Sequence, residues 1–205
     1  VLYSYPKANT SGCTAEACSL QAHKEELAAA GYDIIGVSKD KPTLQKKFAD
    51  GPAQFDKAAV MKYDPAAPVF GTAGSADVVL TFRNVHNWIG NGSAPGMFQA
   101  FFRTLKPGGV LGVVDHRADP ARPAAEQLKA GYLREDDVIA LVEKAGFRLV
   151  ARAEIAANPR DTKDHPQGVW TLPPSLRLKA LDRERYLKIG ESDKFTLKFV
   201  KIAPQ

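Results

Sequence analysis

Two rhythms of apolar residues run along the chain. Short apolar or β-branched runs recur at 1–5, 32–38, 58–63, 77–82, 110–114, 147–155 and 194–200. Between them, at 13–30, 42–49, 95–105, 122–130, 134–145 and 176–189, apolar residues recur at helical spacing. Runs of the first kind suit strands buried on both faces of a parallel sheet. Alternation of the two kinds predicts βαβ units. The stretch 75–112 reads most clearly. A strand over 77–82 gives way to a polar and aromatic loop over 83–88. A helix over 95–105 follows, with Pro95 in its first turn, and Lys106-Pro107-Gly108-Gly109 ends it before the next strand. Residues 156–175 hold four prolines and read as a lid-like loop. The expected architecture is a three-layer, doubly wound, Rossmann-like α/β fold, one domain over 1–205, with a mostly parallel sheet of about seven strands.

Composition narrows the function classes. No apolar run reaches the roughly 18 residues of a membrane span, so no membrane partner is expected. The formal net charge is +5. Most of the excess lies in 176–205, with eight basic and four acidic side chains interspersed. That pattern suits a solvated helix face, and no nucleic-acid partner is expected. A small-molecule substrate in the cytoplasm is the expectation. The chain starts at Val1, inside a strand, so a segment upstream is expected.

The phrase Leu105-Lys106-Pro107-Gly108-Gly109 between helix and strand resembles class I S-adenosylmethionine-dependent methyltransferases. TFRNVHNW (81–88) and FFRTLKPGGVLGVVDHRA (101–118) resemble more closely one bacterial family of this class, and phrases as far as FTLKFVK (195–201) extend the likeness over about 51–205. The resemblance implies a methyltransferase that uses S-adenosylmethionine, and it alone implies that the last strand runs antiparallel. It places cofactor or substrate contacts at Arg83, Asn84, His86, Asn87 and Trp88. An acidic residue ending the second strand would hold the ribose hydroxyls, which makes Asp40 the positional candidate; Asp64 ends the third strand on the same edge.

Residues 1–50 resemble a different family, the peroxiredoxins of the bacterioferritin-comigratory (Q) type. Pro6-x-x-x-Thr10-x-x-Cys13 reproduces that family's active-site signature, and Cys18 matches its resolving cysteine. The resemblance implies a thiol peroxidase with Cys13 as nucleophile, Thr10 as its hydrogen-bonding partner and thioredoxin as a reductant. The family's later segment, with its catalytic Arg, is missing; Arg83 is the candidate substitute. A helix terminus lowers a thiol pKa, which favours Cys13 as thiolate. Five helical residues rise about 7.5 Å, so a Cys13–Cys18 disulfide requires local unwinding. The chain thus reads as a composite. Its peroxiredoxin piece replaces the Gly-rich turn that receives the methyltransferase cofactor: no G-x-G-x-G occurs in 1–50. Three functions stay open: an impaired methyltransferase, a thiol peroxidase, and a chimeric scaffold without activity. No metal is assigned, because His86, Asp115 and His116 show no ligand spacing along the sequence.

Overall fold

The computed structural model describes residues 2–4, 26, 29, 35–38 and 59–202. Thr10, Cys13, Cys18 and Asp40 lie outside the described residues, as do the expected helix 42–49 and all of 13–30 except Glu26 and Ala29, which are helical.

Among the described residues seven strands make one sheet: β1 (Leu2–Ser4), β2 (Ile35–Ser38), β3 (Ala59–Lys62), β4 (Ala76–Phe82), β5 (Leu105–His116), β6 (Phe147–Ala153) and β7 (Lys194–Lys201). Their order is β3-β2-β1-β4-β5-β7-β6. The first five are mutually parallel, and β7 runs antiparallel to both β5 and β6. The fold is α/β with a mixed sheet. Strand β1 pairs with β4 in the register Leu2↔Val79, Tyr3↔Leu80 and Ser4↔Thr81. The two compositional halves of the chain therefore share a hydrogen-bonded ladder. The strand order reverses direction between β1 and β4, which makes that crevice the switch point of the sheet.

Five α-helices follow β4 among the described residues: α1 (Val85–Gly90), α2 (Ala94–Thr104), α3 (Ala124–Lys129), α4 (Glu135–Lys144) and α5 (Arg183–Ile189). A 3-10 turn spans Gly168–Thr171. Helix α2 has Pro95 near its start and buries Ala94, Met97, Phe98 and Phe101 at i, i+3, i+4 and i+7. These pack with Val79 of β4, Leu111 and Val113 of β5, and Phe195, Leu197 and Phe199 of β7 in the main core. Each large apolar side chain buried there contributes about 1.5–3 kcal/mol.

Three expected elements differ from the sequence reading. The expected loop over 83–88 turns into helix α1 from Val85 onward: the Asn84 carbonyl accepts from the N–H groups of Asn87 (3.1 Å) and Trp88 (3.2 Å), which closes a helical turn. Lys106–Gly109 does not precede its strand but bulges within it, since Ala76 pairs with Leu105 and Val78 already with Val110. Gly108 has φ +75°, and a Cβ on Gly109 would press on the backbone oxygens of Lys106 and Asp77. The helix expected over 176–189 is confined to Arg183–Ile189, because Leu176, Lys179 and Asp182 have positive φ.

Candidate active site at the carboxyl edge of the sheet

Parallel strands β1 to β5 all end on one edge, where ligands bind in sheets of this kind. Strand β7 runs the other way, so its start meets the end of β5: His116 pairs with Lys194 and Asp115 with Phe195. The residues just before β7, Ser192 and Asp193, are thereby brought to the same edge.

Asp115 is the centre of the cluster and is fully buried. Its Oδ1 accepts from His86 Nδ1 at 2.8 Å and from the His116 N–H at 2.8 Å, and its Oδ2 accepts from the His86 N–H at 3.2 Å. Burial pushes its pKa up, but the attraction and hydrogen bonds of His86 and His116 outweigh that and hold it below the usual carboxylate range. His116 Nδ1 meets Ser192 Oγ at 2.5 Å. Burial is the largest influence on His116, and pulls its pKa down to about 3 against the attraction of Asp115. His116 is therefore a neutral imidazole at neutral pH. The two histidine rings lie 5.3 Å apart, with Trp170 edge-on to His86 at 6.1 Å and Tyr132 edge-on to His116 at 6.3 Å. Arg177 covers the Trp170 ring at 4.6 Å.

A second buried carboxylate anchors the wall of this site. Asp161 accepts from the Tyr132 hydroxyl (3.0 and 3.1 Å), His165 Nε2 (2.9 Å), the Lys163 N–H (2.9 Å) and the Asp193 N–H (2.8 Å). The Lys163 ammonium meets the Asp193 carboxylate at 2.9 Å. Segment 156–175 is thus fastened to the loop before β7, with Asp161, His165, Val169, Thr171 and Leu172 buried.

The sequence-predicted site residues separate on this frame. His86 joins the cluster. Arg83 follows β4 with φ 50°, its N–H donating to the Val114 carbonyl at 2.8 Å, and its charge reaches His116. Asn84 is buried and supplies the carbonyl that starts α1; Asn87 is half-buried on that helix. The stacking face expected of Trp88 is turned into the core, where it meets Phe98 (6.0 Å) and Phe101 (5.7 Å). Asp64 is exposed two residues beyond β3, and its Oδ1 accepts from the Ala66 N–H at 2.9 Å, closing a turn. Ser192, Tyr132 and Asp161 were not among the expected site residues. The signal for Ser192 lay in the predicted antiparallel last strand, whose start must fall on the carboxyl edge.

Residues 1–65 match the AhpC/TSA family. Peroxiredoxin Bcp of Escherichia coli K12 is 48% identical over 50 residues, which is 24% of this chain and 32% of that protein. Peroxiredoxin bcp1 of Schizosaccharomyces pombe is 38% identical over 50 residues, 24% of this chain and 26% of that protein. The chain spans about a third of the length, or less, of these curated relatives. Solved structures give a different likeness, over the whole chain. A S-adenosylmethionine-dependent methyltransferase from Methanosarcina mazei superposes with TM-score 0.61 at 12% identity, covering 99% of this chain and 93% of that one. The [4+2]-cyclase SpnF superposes with TM-score 0.61 at 13% identity, covering 100% and 75%. Human N-acetylserotonin methyltransferase, solved with S-adenosylmethionine, gives 0.57 at 15%, covering 98% and 48%. The chain is a composite: peroxiredoxin-like in its first residues, and methyltransferase-like in fold.

Proposed function

We propose that the protein is a methyltransferase-type scaffold whose hold on S-adenosylmethionine is impaired. One observation carries the reading: the switch point between β1 and β4 opens beside the buried His86–Asp115–His116 cluster, where a methyl acceptor would sit. Methyl transfer asks mainly for alignment of donor and acceptor, so positioning decides activity. The residues after β1 do not fit the cofactor. In the sequence, Thr10-Ser11-Gly12-Cys13 stands where the methyltransferase resemblance puts a Gly-rich turn for close backbone approach, and no G-x-G-x-G occurs there. Asp40 and Asp64 are the acidic candidates for ribose contact, and Arg83, Asn84, His86 and Asn87 for the acceptor side. Calorimetric titration with S-adenosylmethionine is expected to show weak binding or none. A dissociation constant in the low micromolar range would overturn the impairment.

The second reading is a thiol peroxidase, favoured by the match of residues 1–65 and the intact Pro6-x-x-x-Thr10-x-x-Cys13 signature. The Cys13 thiolate attacks peroxide, forming a sulfur–oxygen bond as the oxygen–oxygen bond breaks and water or alcohol leaves. The Cys18 thiol then displaces water from the sulfenic acid to give a disulfide, which a thioredoxin-type dithiol reduces. With Arg83 as at best a chance substitute for the missing Arg, poor turnover is expected, with sulfenic acid at Cys13 forming faster than the Cys13–Cys18 disulfide. Mass spectrometry after one equivalent of peroxide with a dimedone trap should find the Cys13 adduct. Rapid, complete disulfide with no adduct would put the peroxidase reading ahead. Failure of both assays leaves the chimeric scaffold without activity.

A further inference from the structure

We propose that His86, Asp115 and His116 bind a divalent transition-metal ion, through two imidazole nitrogens and one carboxylate oxygen. Their ligand atoms all lie within 4.8 Å of one another, and all three residues are buried. The set is one that zinc and non-haem iron take from proteins. It comes from two adjacent elements, helix α1 and the end of β5, so it is invisible in sequence spacing but fixed by the sheet.

The distance needs one adjustment. Ligands bonded to a tetrahedral zinc at about 2.0–2.1 Å lie roughly 3.4 Å apart, so the widest pair of the set, now within 4.8 Å, must close by up to about 1.4 Å on binding. The His86–Asp115 hydrogen bond gives way when the ion takes the carboxylate oxygen or the ring nitrogen that now share a proton. Ser192 on His116 Nδ1 (2.5 Å) holds that ring as an outer hydrogen-bond partner does in metal sites, leaving Nε2 for the ion. Tyr132 and Trp170, edge-on to the two rings, restrict their rotation. Three protein ligands leave a coordination position open for water or a substrate oxygen, the arrangement of reactive rather than structural sites. The inference stands apart from the methyltransferase and peroxidase readings, since it needs neither S-adenosylmethionine nor Cys13.

The test uses the full chain with Cys13→Ser and Cys18→Ser, so that thiolates cannot bind the probe. After chelator treatment it is titrated with Co²⁺, followed by visible absorption and calorimetry. One Co²⁺ per chain is expected, with visible ligand-field bands and displacement by Zn²⁺. His86→Gln and His116→Gln should each weaken binding by tenfold or more, and Ser192→Ala by about tenfold. Where a histidine variant fails to fold, Ser192→Ala and the rise of Tm with added Zn²⁺ carry the test. No Co²⁺ binding at micromolar concentrations, no Zn²⁺-dependent rise in Tm, or binding that survives the His86→Gln, His116→Gln double variant would each overturn the proposal.

Discussion

The first fifty residues and the region beyond β4 carry chemistry in opposite ways. The first region has an explicit motif, Thr10 and Cys13 at family spacing with Cys18 behind, on a chain segment matched to peroxiredoxins. The second has no such motif, yet it assembles buried carboxylates, three buried histidines and a tyrosine into two hydrogen-bonded groups, one around Asp115 and one around Asp161. Both regions supply strands to one ladder, because a parallel pairing uses backbone groups and is indifferent to the ancestry of the side chains. Secondary structure is exchangeable between such sources; a cofactor turn or a catalytic partner residue is not.

The largest expected effect tests whether the two regions unfold as a unit. Phe101→Ala removes a fully buried ring from the core and should cost about 3–5 kcal/mol in urea unfolding. Far-ultraviolet circular dichroism and the reactivity of Cys13 and Cys18 toward a thiol reagent should lose structure at the same urea concentration. Two separated transitions would break the continuity that the β1–β4 pairing implies.

Asp161→Ala comes next. It strips the acceptor from the Tyr132 hydroxyl, His165 and two backbone N–H groups, and is expected to cost about 3 kcal/mol. The rate at which peroxide oxidises Cys13 should stay unchanged; a changed rate would show the two regions to be chemically coupled.

A smaller effect appears on mild acidification, to about pH 5.5, of chelator-treated protein. His116, with its folded pKa at about 3, takes up its proton only on unfolding between that value and the ordinary 6.5. The unfolded state binds more protons there, so stability is full above 6.5 and falls as pH drops, by at most about 1.4 kcal/mol per pH unit. Urea midpoints against pH should show this slope, and His116→Gln should flatten it. At the bottom of the scale, Lys106→Ala removes an exposed pair with Asp77 at 2.7 Å and should leave the urea midpoint unchanged.

How legible each part was depended on the length of the interaction that makes it. Strands β4, β5 and β7 and helix α2 follow from apolar runs and from i, i+3, i+4, i+7 spacing, both local signals. Helix α1 escaped because six residues are under two turns, too few for Val85, Trp88 and Ile89 to establish a period. Residues 176–182 carried a helical pattern but take left-handed conformations at three positions, a tertiary outcome that propensity does not report. His86 was legible as a site residue from the family phrase alone. Asp115 and His116 were legible too, as the polar end of the next strand on the same edge; Ser192, 76 residues from His116, was not. Pairing of that kind is settled by strand order, and only the sheet shows that the start of β7 faces the end of β5.

That placement of β7 also sets an order of events in synthesis. The strand is made after β6 but lies between β5 and β6, hydrogen-bonded to both. While the ribosome is still producing residues near 190, β6 has no neighbour to pair with, and His116 lacks Ser192. The parallel half, β1 to β5, can be laid down strand by strand as it emerges; the polar site must wait for the last strand. A nascent chain halted before β7 would hold an incomplete sheet with an open edge on β5, the stage at which a chaperone would have most to cover.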